Sequence, residues 1–172
     1  MAEEKIPVQL ILKDGSFANA NFVLGGDNKN SQLSLEFGDR VITKAGHSFF
    51  HLLQEIRLEF EKDGILFNCY GASKNVRPSG MSISMGGGVM AYKHTLGKKS
   101  ELKDLVEIWK TGPDVQPVTV AEQDAFFDKW LISVGIDKNR KVIPNSVKIN
   151  RWTKWVLLGI LILVVIIFLI MR

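Results

Sequence analysis

Residues 71–88 (GASKNVRPSGMSISMGGG) gather the side chains of this chain best suited to recognition chemistry. Five glycines, four serines and one proline in this stretch imply irregular backbone, and Gly86, Gly87 and Gly88 in a row favour neither rigid helix nor strand. Backbone N–H groups of such a stretch could cradle an anion, with Lys74 and Arg77 complementing its charge. The spacing matches neither the phosphate loop GxxxxGK[ST] nor GxGxxG after a strand. A long surface loop is the plain reading, and a loop that contacts a partner is the functional one. Its contacts would be Lys74, Arg77, Ser79, Met81, Met85, Gly86, Gly87, Gly88 and Tyr92. Arginine brings a bidentate donor, the methionines adaptable apolar groups, and the tyrosine an amphipathic ring.

Catalytic chemistry finds thinner support. Cys69 lies in an apolar stretch, and His94 is the base best placed to approach it; a buried structural cysteine is the competing reading. His47, His51 and Glu55 fall at i, i+4 and i+8 and could share one side of a helix. They lack the HExxH order and a third ligand nearby, so they read as solvent-facing residues and no metal is expected. Ser79 and Ser82 have no visible triad. No catalytic residue and no cofactor is assigned.

The elements that must position these residues alternate in period. Lys5 to Lys13 places Val8, Leu10 and Leu12 on one face, and Asp14-Gly15 suits a two-residue hairpin turn into Ser16 to Leu24. Leu33, Leu35 and Phe37 alternate, Gly38-Asp39 turns the chain, and Arg40 to Lys44 completes a four-stranded meander. Over 48–62 the period changes to helical, with Phe49, Leu52, Leu53, Ile56 and Phe60 as the stripe, Ser48 as cap and Gly64 as stop. Short strands are expected at Ile65 to Tyr70, Val89 to Leu96 and Asp104 to Thr111. Thr119 and Glu122 form a capping box for a helix whose stripe is Ala125, Phe126, Trp130 and Val134, flanked by Phe127 and Leu131. The fold class expected is α+β, a mostly antiparallel sheet with two helices packed on it, over residues 1–135.

From Val156 to Met171 the chain has no charged or hydrogen-bonding side chain. At about 1.5 Å per residue this run is roughly 24 Å long, short for a bilayer core of about 30 Å but within what local thinning accommodates. Trp152 and Trp155 stand where an aromatic belt would lie. A transmembrane tail anchor is therefore expected over 155–172, after a basic juxtamembrane linker over 136–154. Residues 1–135 carry 15 Lys+Arg against 17 Asp+Glu, so the formal charge of +4 belongs to the linker and Arg172. Lys148, Arg151 and Lys154 lead that linker's attraction to anionic headgroups and, by the positive-inside rule, keep the domain cytoplasmic. The acidic start MAEEK lacks the basic region of a signal peptide, and the single cysteine agrees with a reducing compartment. A bacterial inner membrane is the favoured location.

This organisation excludes transport through the anchor, which carries no polar group, and offers no grouped basic surface for nucleic acid. The leading expectation is a membrane-tethered binding module, an accessory, recruitment or immunity-type factor, that presents the glycine-rich stretch to another protein at the membrane. The alternatives are a structural subunit of a membrane assembly, as a homo- or hetero-oligomer, and an enzyme acting on a membrane-associated or small anionic substrate.

Overall fold

The computed structural model describes residues 4–26 and 30–136. The domain is α+β. Its main sheet is curled and antiparallel, with strands β1 (Glu4–Ile11), β2 (Phe17–Gly26), β3 (Ser31–Phe37), β4 (Arg40–Gly46) and β5 (Leu66–Phe67) in the order β4-β3-β2-β1-β5. The meander read from the sequence is present, but its first turn is longer than two residues. Ile11 pairs with Phe17, Leu12 and Ser16 are joined by a 2.8 Å bond, and Gly15 N donates to Leu12 O at 2.9 Å. Gly15 takes φ +83°, so the loop is a type I turn followed by a left-handed glycine. The Asp14 carboxylate accepts from Ser16 N and Oγ, which holds it below the usual carboxylate range. Gly38-Asp39 is a two-residue turn, as the dipeptide suggests, with Phe37 paired to Arg40.

Helix α1 (Phe49–Glu61) lies on the inner face of this sheet. It buries Phe50, Leu52, Leu53, Ile56 and Phe60 against Val8, Leu10, Ala20, Phe22, Leu33 and Leu35. Strand alternation and helical spacing thus meet in one core, where each large side chain buried contributes about 1.5–3 kcal/mol. Phe60 packs edge-on against Phe67 at 5.6 Å, and Phe22 meets Trp109 at 5.0 Å. Ser48 stands at the N-cap as expected, but its hydroxyl donates to Gly87 O at 3.2 Å rather than capping the helix.

The second half departs from the expectation of a long loop. A 3-10 turn (Tyr70–Ala72) follows β5, and a smaller sheet of β6 (Val76–Arg77), β7 (Met90–Lys93) and β8 (Leu105–Glu107) runs in the order β6-β7-β8. Between β6 and β7 the glycine-rich stretch forms a third helix, α2 (Gly80–Gly86). Asp104 to Thr111 is strand only over Leu105–Glu107, because a 3-10 turn (Leu102–Asp104) precedes it and Ile108 and Trp109 turn into the core. Helix α3 (Val120–Ser133) has the capping box read from Thr119 and Glu122, but of the expected stripe Trp130 alone is buried. Ala125 is exposed, and the buried positions are Val120, Gln123 and Trp130.

Among the described residues no helix is long and apolar enough to cross a membrane. The linker from Asp137 and the apolar run, with Lys148, Arg151, Trp152, Lys154 and Trp155, lie outside the described residues.

Candidate functional site

Helix α2 is held at both ends by its own sequence. Ser79 Oγ accepts from Ser82 N at 3.1 Å, and Gly87 takes the left-handed conformation at φ 61° that ends the helix. Gly88 N donates to Ser82 O at 3.0 Å, and Phe49 N donates to Gly87 O at 2.7 Å, which ties this end to the start of α1. The Ser82 hydroxyl bonds Met90 O and pins the helix to β7. Only glycine fits at 87, where the left-handed backbone would also bring a Cβ to 3.1 Å from Phe49. Gly87 and Gly88, both with positive φ, serve to end the helix. Ser82 N, Ile83 N, Gly88 N and Val89 N are all bonded within the segment, so these donors are not free to cradle an anion.

The outer side of α2 is where the expected contacts converge. Met81 is 73% and Met85 82% exposed, one turn apart, and with Met90, Tyr92, Leu105 and Ser79 they line an apolar groove of about 320 Å³. The groove therefore unites Ser79, Met81, Met85, Gly86 and Tyr92, and adds Met90 and Leu105, which sequence reading missed. It leaves out Arg77 and Lys74. Arg77 pairs with Asp124 and lies over the Phe127 ring at 4.7 Å, so it latches α3 to β6. Lys74 is exposed, with its ammonium 6.0 Å from the Phe126 ring centroid.

Ser79 and Tyr92 also border a second cleft, of about 330 Å³, formed by Pro78, His94, Lys99, Ser100, Phe127 and Trp130. The His94 ring lies tilted against Trp130 with centroids 3.9 Å apart, its Nδ1 2.7 Å from Ser100 Oγ and its Nε2 buried without a hydrogen-bond partner. Burial pushes its pKa down to about 4; the Arg77 carbonyl favours the protonated ring but does not offset that loss of hydration. Folded His94 thus stays neutral where an unfolded histidine, at 6.5, takes up a proton. Stability from this group is complete above about pH 6.5 and is lost as pH falls toward 4. Urea titrations of wild type and His94→Phe across this window are expected to show a flatter limb in the variant. Carboxylates held low, such as Asp114 bonded by Lys93 and Tyr70, act at lower pH.

A buried polar hub holds these pieces together. Arg57 is 1% exposed and donates to Gln123 Oε1 at 2.6 Å, Val118 O at 2.7 Å and Gly71 O at 3.2 Å. Gln123 Nε2 reaches Ser73 O and Val76 O at 2.9 Å and Gly71 O at 3.1 Å. Two side chains therefore bind α1, the strand leading to α2, and α3. Both were passed over in the sequence.

The catalytic arrangements weighed from the sequence do not assemble. Cys69 is fully buried in the apolar core, and burial pushes its thiol up to about 11, the reverse of nucleophile activation. His94 is engaged instead with Ser100, Phe127 and Trp130. At pH 8 a thiol reagent is expected to leave Cys69 untouched in the native protein and to modify it fully in urea; rapid native modification would contradict this burial. His51 and Glu55 are exposed on α1, and among the described residues no three His, Cys, Asp or Glu are grouped to hold a metal. A further hollow, of about 470 Å³, has an uncharged lining that includes Gln9, Asn19, Asn21, Asn68 and Thr111. No protein-family model matches this sequence, and no curated protein matches it.

Proposed function

We propose that the chain is a membrane-tethered protein-binding module whose contact surface is the methionine groove of α2, β7 and β8. The observation that carries this reading is the exposure of Met81 and Met85 on a helix capped and pinned by Ser79, Ser82 and Gly87. Core packing does not require these side chains, yet the fold holds them in fixed register beside Met90, Tyr92 and Leu105. Methionines adapt their shape to an apolar partner surface, and Tyr92 adds a ring with a polar tip. Support for the tether comes from the uncharged run Val156 to Met171 and its basic flank, which orient the domain toward the cytoplasm. Confinement to one surface raises the effective concentration of groove and partner for each other.

The tether is tested on the full chain in native membranes. The protein is expected to stay with the membrane through alkaline carbonate extraction, and Leu163→Arg to release a large fraction, since a mid-span arginine costs about 2.5–3.5 kcal/mol. Release of the wild-type chain by carbonate would overturn the tether.

A further inference from the structure

Four large apolar side chains left at the surface belong to neighbouring segments at one edge of the domain: Leu96 is 51%, Leu102 78%, Ile132 70% and Ile136 45% exposed. Leu96 sits in a tight turn closed by a bridge between Thr95 and Lys98, with Gly97 at φ +74°. Gly97 N donates to Ser133 Oγ at 2.9 Å and Trp130 Nε1 donates to Lys98 O at 2.9 Å, so this turn is fastened to the last turn of α3. Leu102 opens the 3-10 turn that borders the same polar hollow as Lys98 and Lys99.

The same segments carry lysines. Lys98, Lys99 and Lys129 are exposed and form no ion pair among the described residues. Lys103 pairs with Glu101 at 2.7 Å, and the other acids nearby are Asp104, bonded to Glu101 N, and Asp128. Isolated apolar side chains between flexible cations are the pattern of a surface that inserts to headgroup depth while its ammonium groups meet lipid phosphates. The same edge is where the described chain ends, at Ile136, and the sequence continues with six Lys or Arg against one acid before the apolar run. The intervening 18 residues, 137–154, would reach roughly 60 Å extended, so tethering alone does not choose a face.

We propose that this edge seats the folded domain on an anionic bilayer surface, with Leu96 and Ile132 at the headgroup boundary and Lys98, Lys99 and Lys129 on the phosphates. The inference rests on the tether proposed above, and it gives the domain a fixed orientation over the membrane.

The test uses the full chain in phosphatidylcholine vesicles with and without phosphatidylglycerol. Leu96→Cys accepts an environment-sensitive fluorophore selectively, because Cys69 is buried; Val41→Cys, on the edge strand β4, is the control. Lipid-borne nitroxide is expected to quench the label at 96 strongly and that at 41 only to background. Lys98→Glu with Lys99→Glu, or omission of the anionic lipid, should remove the difference. Quenching at 96 no greater than at 41, in protein that floats with the vesicles, overturns this inference and leaves the tether standing. Failure to float overturns both. A label shielded from a water-soluble quencher but not reached by nitroxide assigns the edge to a protein contact and likewise overturns it.

Discussion

Arg57→Ala is expected to destabilise the domain by about 3–5 kcal/mol, the range seen when one member of a buried charged network is removed. The whole stability of a domain this size is about 5–15 kcal/mol, so the variant would be close to unfolding. Gln123 Oε1 and the Val118 carbonyl lose the arginine donor, and the Gly71 carbonyl is left with Gln123 Nε2. Glu61, whose partly buried carboxylate lies 3.6 Å from the guanidinium, loses that cation and keeps the Val120 N–H at 2.9 Å. Burial lowers the pKa of Arg57, so the site does not favour a cation on its own; the network makes it tolerable. Gln123→Ala should cost about 1–3 kcal/mol by orphaning carbonyls and the arginine. Because the two side chains share one hydrogen bond, the double variant should cost less than the two separate losses together. Urea unfolding followed by tryptophan fluorescence measures all three, and a loss below about 1 kcal/mol for Arg57→Ala would show that the hub does not hold the domain.

Met81→Glu combined with Met85→Glu is the converse case, with a large effect on binding and almost none on folding. Both side chains are exposed, so stability should shift by no more than about 0.5 kcal/mol. Burying a methionine against a partner contributes about 1.5–3 kcal/mol. Two lost contacts, with charge brought to an apolar groove, should therefore weaken partner binding by roughly 100-fold or more, at about 1.4 kcal/mol per tenfold. Recovery of partner with the detergent-solubilised full chain gives the readout, and unchanged recovery would remove the groove from consideration. Arg77 is a poor substitute for this test. Its pairing with Asp124 and stacking on Phe127 make Arg77→Ala a folding variant, not a surface one.

The N-terminal meander, α1 and the start of α3 are legible because local signals agree with one another. Alternation, Gly38-Asp39, the helical stripe of α1 and the Thr119–Glu122 box each specify a local structure that the global fold keeps. Helix α2 was hidden by its composition. Serine and glycine are weak helix formers, and Met81, Ile83 and Met85 also alternate as a strand would. Its two stops were nonetheless in view, Ser79 three residues before Ser82, and the glycines at 87 and 88. The hub had a signal too: Arg57 falls among Leu53, Ile56 and Phe60 on the buried face of α1, and Gln123 lies between Val120 and Trp130 on that of α3. A polar side chain inside an apolar stripe marks a buried partner, but one sequence does not say which. The groove was half legible. The chemistry of Met81, Met85 and Tyr92 marks them in the sequence, while Met90 and Leu105 come to the groove only through the pairing of β7 with β8.

The most direct measurement is site-specific photo-crosslinking of the full-length protein in its native membranes, with the photoreactive residue at position 85 and, separately, at position 41. One dominant protein adduct is expected from position 85 in the membrane fraction, abolished by Met81→Glu, and none from position 41 on the edge strand. No adduct at 85, or the same adducts from both positions, would contradict a binding module that works through the methionine groove.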